Sequence, residues 1–318
     1  MSRPGQRLGL LVGWLLALGG GRAEFTIESA ERDIRHDFPQ AVRPADVLPA
    51  GVTAHEDIEY ARPEGQALQL DLYRGAATGP RPAVLLVHGG GWDSGSRQME
   101  RPFARRLAAL GYVAVPVSYR LGATGRFPAA LHDLKGAVRW LRAHSAEYGI
   151  DPRRIAVVGG SAGGQLAALL GAGNGVAALE GGAGDPKVSS AVQVVVDIDG
   201  VADFTGPDLV AQQESAPSAP VRYLGGKFSE RPAVWRLASA LTHAGPHSAP
   251  TLFINSTSPT PPLPGRAELC ARLRACGIAS EIVVLPGTPH TFWLFQPWFE
   301  RTLAETDRFL RAHLPFNP

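Results

Sequence analysis

Gly159-Gly160-Ser161-Ala162-Gly163-Gly164 stands directly after the apolar run IAVVG and directly before the apolar stretch QLAALL. It fits G-x-S-x-G in the setting where that pattern carries chemistry, a tight strand-to-helix turn that strains a serine backbone and exposes the hydroxyl above a sheet. Side chains at positions 159 and 163 would collide across such a turn. A helix opening at Ser161 adds a positive dipole end beneath a developing oxyanion. The chemistry suggested is nucleophilic attack on an acyl carbon. A phosphate cradle is the competing reading, but the Walker Lys-Ser/Thr pair is absent and GxGxxG is not matched.

A second group, His88-Gly89-Gly90-Gly91-Trp92, follows the apolar strand AVLLV, 73 residues before the serine. Successive glycines let backbone N–H groups converge on one point and complete an oxyanion hole with the residue after the nucleophile. Gly90, Gly91 and Ala162 are the predicted donors. His88 is then structural, hydrogen-bonding the loop, and Trp92 is either a loop anchor or a substrate-subsite wall.

The general base is expected at His290, in the loop Leu285–His290 between the last predicted strand and the final helix. There a base can reach Ser161 from the carboxyl edge of the sheet. His243 and His247, in a less regular region, are the reserves. Aromatic residues cluster beyond His290, at Phe292, Trp293, Phe295, Trp298 and Phe299. Most read as packing under the last helix, with Trp293 the candidate ring for stacking on a sugar.

Elements that would position these residues follow from the hydrophobic pattern. Short β-rich runs at 67–73, 83–88, 112–118, 155–159, 192–199, 251–255 and 280–285 are mostly too continuously apolar to have a wet face. Amphipathic stretches at 98–110, 128–148, 161–171, 266–276 and 299–313 alternate with them, so a mostly parallel central sheet with helices on both faces is expected. Leu131, Leu134, Val138 and Leu141 keep the spacing of one buried helical stripe. Residues 172–190 and 204–248 break the alternation and are the expected walls of a cleft at the carboxyl ends of the strands. The reading is one catalytic domain, 67–318, after a lead-in at 24–66 that is irregular apart from one edge strand.

Composition sets the outer bounds. Of the 318 residues, 45% are hydrophobic and 19% charged, so the chain can bury a large core and is neither disordered nor fibrous. The formal net charge is +2 and the 28 arginines and 3 lysines form no run of five, which gives no reason to expect a nucleic-acid partner. Cys270 and Cys276 stand six apart in a predicted helix, about 9 Å along its axis, so a bridge between them would need that helix broken. Neither cysteines nor histidines show metal-ligand spacing. At the start, Arg3 and Arg7 precede an apolar run Leu8–Leu18 followed by Gly21-Arg22-Ala23. That pattern predicts a signal peptide over 1–23, a mature start at Glu24 and a periplasmic or secreted protein. The run has about 11 residues where a bilayer span needs about 20, so no stable membrane span is expected after cleavage.

With these segments together, the chain from roughly 60 to 313 resembles the α/β-hydrolase superfamily. It is similar to secreted carboxylesterases of the hormone-sensitive-lipase and bacterial feruloyl-esterase type. HGGGW (88–92), SYR (118–120), FPAALHDLKGAVRWLR (127–142), YGIDPRRIAVVGGSAGG (148–164) and PHTFW (289–293) carry the resemblance. It implies a serine acyl hydrolase working without a cofactor or metal on a small ester or esterified oligosaccharide. DIDG (197–200), YLGG (223–226) and FINS (253–256) resemble segments of plant cell-wall polysaccharide esterases acting on acetyl, methyl or feruloyl esters. Less favoured implications are a prolyl-oligopeptidase-like peptidase and a carbohydrate-binding homologue without a working triad.

One departure bears on the triad. The family places its acid after the strand read at 251–255, in a pattern like I-x-G-x-x-D, but here the chain reads Ile254-Asn255-Ser256-Thr257-Ser258-Pro259, with no Asp or Glu from Arg231 to Ala267. Asp199, where the strand after the nucleophile strand runs out, is the favoured substitute, since neighbouring loops share one rim. Asp203, expected as a helix cap, and Glu268, expected on a water-facing helix, are the alternatives, together with a Ser-His dyad or an inactive triad.

Overall fold

The computed structural model describes residues 24–76, 78–214, 218–257 and 264–316. The expected signal peptide, 1–23, lies outside the described residues. Among the described residues there are eight strands: β1 Val52–Ala61, β2 Leu68–Gly75, β3 Arg81–Val87, β4 Val113–Val117, β5 Ile150–Gly160, β6 Val194–Ile198, β7 Thr251–Asn255 and β8 Ser280–Val284. They form one sheet in the order β1-β2-β4-β3-β5-β6-β7-β8, with β2 antiparallel to both its neighbours and the remaining pairs parallel.

The two-residue period of a strand divides the apolar runs between two cores. From β3, Leu85 and Val87 enter one core while Val84 and Leu86 enter the other; from β6, Val195 opposes Val194 and Val196. Helices Ala129–Ala143, Ala162–Ala172 and Arg266–Ala275 supply the first core, with Leu134, Leu166 and Leu273 buried. Helices Ile27–Asp37, Arg101–Ala109 and Phe299–His313 supply the second, with Ile34, Leu107 and Leu310 buried. Each such side chain contributes about 1.5–3 kcal/mol on leaving water.

Differences from the sequence reading have local causes. The helix expected over 128–148 stops at Ala143, where His144 turns its Nδ1–H back to the Trp140 carbonyl at 2.9 Å; Ser145–Tyr148 forms a separate turn ended by Gly149 at φ +62°. The lead-in holds its edge strand, β1, but also an unexpected helix, Ile27–Asp37, opened by a Thr26/Ser29 capping box. The region 204–248 is short helices rather than irregular chain: Pro207–Glu214, Ala219–Leu224, Pro232–Ala238 and Ala240–His243. Cys270 is buried, Cys276 is exposed, and both are free thiols. Among the described residues no helix is long and apolar enough to cross a membrane.

Candidate active site

The sharp turn between β5 and helix Ala162–Ala172 holds Ser161 at φ +55°, ψ −118°, a conformation costing a non-glycine residue on the order of 1–3 kcal/mol. Its N–H donates to the Ile198 carbonyl at 2.8 Å, and its own carbonyl accepts from Gln165 N at 3.0 Å. Glycine is required on both sides of the turn. A methyl group at Gly163 would overlap the Val87 carbonyl oxygen, and one at Gly159 would overlap the carbonyl of Gly163.

His290, in the loop after β8, lies within 2.8 Å of Ser161 Oγ through Nε2 and within 3.2 Å of Asp199 Oδ2 through Nδ1. A carboxylate at Nδ1 keeps the proton there and leaves the Nε2 lone pair to accept from the serine O–H. Asp199 is fully buried while the His290 side chain is 35% exposed and Ser161 is half-buried, so the water-facing end of the chain of hydrogen bonds is the imidazole and the serine. Trp293 meets the imidazole edge-on, ring centroids 5.6 Å apart.

Asp199 sits just past the end of β6 at φ +52°. Its N–H donates to the Ile254 carbonyl at 3.0 Å and its Oδ1 accepts the Ser256 N–H at 2.8 Å. The loop after β7 thus holds the carboxylate without supplying one. Behind it, Arg266 donates to Asp197 Oδ1 at 2.9 Å and to the carbonyls of Asp197, Gly200 and Ile254 at 2.9, 2.8 and 3.2 Å.

The other acids and histidines stand apart from this cluster. Asp203 accepts the Thr205 N–H at 2.8 Å, closing an Asx turn rather than capping a helix. Glu268 is exposed on helix Arg266–Ala275. His243 bonds the Leu237 carbonyl and His247 is exposed.

On the loop after β3, Gly90 and Gly91 adopt φ +116° and +61°. Among the described residues no acceptor takes the N–H of Gly90, Gly91 or Ala162. The loop is fixed by the residues around it. His88 is buried, stacks on Tyr119 at 4.5 Å and donates Nδ1–H to the Gly89 carbonyl at 2.7 Å; burial pushes its pKa down to about 4, so the ring is neutral. Trp92 stacks on Tyr223 at 4.7 Å and donates its indole N–H to Gln165 Oε1 at 3.0 Å, while Gln165 Nε2 donates to the Ala238 carbonyl.

The two tryptophans read as substrate-binding are therefore corrected to packing roles. Trp92 is 5% exposed and Trp293 2%, and the Trp293 indole lies against Gly160 where a side chain would clash. Neither presents a face to a sugar.

Residues 70–260 match the family model BD-FAE. The chain belongs to the BD-FAE family. Esterase LipQ of Mycobacterium tuberculosis is 30% identical over 257 residues, 78% of this chain and 60% of its own. The chain thus spans less than two thirds of that relative. Ethyl acetate hydrolase of Pseudomonas putida is 31% identical over 251 residues, 74% of each chain. Thermogutta terrifontis esterase 2 phosphonylated by sarin superposes with a TM-score of 0.70 at 27% identity, covering 84% of this chain and 96% of that one. The α/β-hydrolase fold and carboxylesterase kinship expected from the sequence are both present.

Arg266, Ser256 and Gln165 were not legible as site residues. For Arg266 a faint signal exists: no Asp, Glu, Lys or Arg occurs from Leu237 to Gly265, so it is the first full charge after a long neutral stretch.

Proposed function

We propose that the protein is a serine carboxylesterase that forms an acyl-enzyme on Ser161. The carrying observation is the unbroken chain from Ser161 Oγ through His290 to Asp199, at 2.8 and 3.2 Å. Ser161 Oγ attacks the ester carbonyl carbon while its proton passes to His290 Nε2; the negative charge settles on the carbonyl oxygen, towards the N–H groups of Gly90, Gly91 and Ala162. Collapse of the tetrahedral intermediate breaks the bond to the alkoxy oxygen, which takes the proton from Nε2. Water then repeats the cycle on the acyl-enzyme and releases the acid. Asp199 holds the imidazole in the required tautomer and stabilises the imidazolium. The residues of this scheme need no cofactor.

The substrates proposed are small acyl or methyl esters on plant cell-wall polysaccharide: acetyl, methyl or feruloyl. Support comes from the DIDG, YLGG and FINS segments and from a His290 open to solvent, which suits an ester carried on a bulky chain. A second reading is favoured by the Pseudomonas putida relative: ethyl acetate and similar free esters. Export to the periplasm or medium, with the mature chain starting near Glu24, belongs to the same proposal.

Hydrolysis of p-nitrophenyl acetate by the wild type and Ser161→Ala tests the chemistry. Turnover is expected to disappear in the variant; turnover at the wild-type rate rejects the scheme. Acetate, methanol and ferulate release from acetylated xylan, pectin and feruloylated arabinoxylan, set against ethyl acetate, separates the two substrate readings. N-terminal sequencing of the exported protein tests the start at Glu24.

A further inference from the structure

Asp197, Ile198, Asp199 and Gly200 make a turn that must do something unusual. β6 ends at Ile198, and the next residue enters the left-handed region at φ +52°, which aims its carboxylate at His290. Left-handed aspartate is accessible but unfavourable, so the turn needs external support to hold one geometry. Inside the turn the Gly200 N–H donates to Asp197 Oδ1 at 2.8 Å. Outside it, a single guanidinium grips both ends. Arg266 Nη1 reaches Asp197 Oδ1 and the Gly200 carbonyl, while Nη2 reaches the carbonyls of Asp197 and Ile254. Ile254 is also the residue whose carbonyl accepts the Asp199 N–H.

The fork is built to stay put. Arg266 is 2% exposed, Asp197 is fully buried, and the guanidinium lies 5.0 Å from the centre of the Phe253 ring. A planar five-donor group satisfies several acceptors in fixed directions, which a flexible ammonium cannot reproduce. Breaking a buried pair of this kind also leaves a charge without a counter-charge.

We infer that Arg266 is a positioning residue for ester hydrolysis: by clamping the turn 197–200 to the end of β7 it sets the aim of Asp199 at His290. The inference rests on the triad reading above and adds to it how an acid displaced to the end of β6 is held in place. Arg266 touches neither Ser161 nor His290; the turn it clamps carries Asp199, and the Ile198 carbonyl of the same turn accepts the Ser161 N–H, so the double variant below decides whether the effect runs through Asp199.

The test is steady-state kinetics on the full chain with p-nitrophenyl acetate, for wild type, Asp199→Asn, Arg266→Lys and the double variant, with each rate expressed per folded molecule from circular-dichroism melts. Arg266→Lys is expected to lower kcat about 10- to 100-fold with KM changed less than about twofold, because orientation of the base is felt in the transition state. The double variant should be no slower than Asp199→Asn alone, since both changes remove one contribution. A merely structural role would lower the melting temperature and leave kcat per folded molecule intact, which overturns the inference. So does a double variant whose losses multiply. If Arg266→Lys does not accumulate in folded form, Asp197→Asn replaces it; that change keeps an oxygen for the Gly200 N–H but removes the counter-charge, and the same non-additivity is required. Should Asp199→Asn turn over at the wild-type rate, the triad reading falls and the inference with it. Should Asp199→Asn be slow while Arg266→Lys is not, only the inference falls.

Discussion

Ser256 donates its backbone N–H to Asp199 Oδ1 at 2.8 Å. The donor belongs to the loop after β7, where the related pattern I-x-G-x-x-D would put the acid, and the acceptor belongs to the neighbouring strand end. Ile198 pairs with Ile254 across β6 and β7, so the two strand ends lie side by side and a carboxylate on either can face the loop of His290. Here Ser256 supports the Asp199 carboxylate through its backbone.

Asp199→Asn is therefore expected to lower kcat/KM by about 10⁴, the usual scale for an imidazole held in the wrong tautomer. Asp203→Asn and Glu268→Gln should stay within about twofold, since one closes a surface turn and the other faces water. Side-by-side assays of p-nitrophenyl acetate hydrolysis check all three; a collapse in Asp203→Asn with Asp199→Asn intact would reverse the assignment.

Trp92→Phe keeps most of the stacked ring but deletes the N–H that ties the glycine loop to Gln165. Loss of this tie frees the loop carrying Gly90 and Gly91 relative to the helix carrying Ala162. A fall in kcat of about tenfold with little change in KM is expected, a part of the roughly 10²–10³ that a whole oxyanion donor is worth. Affinity for a boronic-acid transition-state analogue should fall by the same factor, measured by competitive inhibition; unchanged affinity would argue against the tie.

His88 sets an acid limit on stability. Its folded pKa is depressed by burial from 6.5 to about 4, so the unfolded chain binds a proton at a pH where the folded chain does not. The contribution is whole above about 6.5 and is lost as the pH falls through about 4; fully counted it is about 3 kcal/mol. Thermal melts between about pH 7.5 and about pH 4 should show the wild-type melting temperature falling relative to that of His88→Gln over this window, a comparison that cancels the opposite pull of buried Glu100, whose pKa burial pushes up to about 8. Identical slopes would remove His88 as the cause.

Gly163→Ala puts a methyl group on the Val87 carbonyl inside the turn that holds Ser161. Overpacking there should cost about 1–3 kcal/mol and displace Ser161, so both the urea midpoint and the turnover rate are expected to drop. A variant with wild-type stability and rate would show that the turn can give way.

Much of the architecture could be read from pattern because parallel strands buried on both faces leave apolar runs, as at Ala83–Val87 and at Ile155–Val158. β1 left little trace: HEDIEY is polar, lies at an exposed sheet edge and is interrupted by a bulge around Asp57 at φ +60°. In the site, Ser161 and His290 were legible because a strained turn and a post-strand loop leave glycine and position signals. Asp199 could only be favoured among several acids, since its aim depends on a left-handed backbone and on contacts with Ser256 and Arg266 that are remote in sequence. The tryptophans misled because an aromatic ring beside a catalytic motif has the same sequence whether it faces substrate or core.

The most direct measurement is covalent: the protein is treated with diisopropyl fluorophosphate and the adduct is located by peptide mass spectrometry in wild type, Ser161→Ala and His290→Ala. One phosphoryl group on Ser161, absent in Ser161→Ala and formed far more slowly in His290→Ala, is the expected result. Stoichiometric labelling of another residue, or undiminished labelling of Ser161→Ala, would contradict a nucleophile at Ser161.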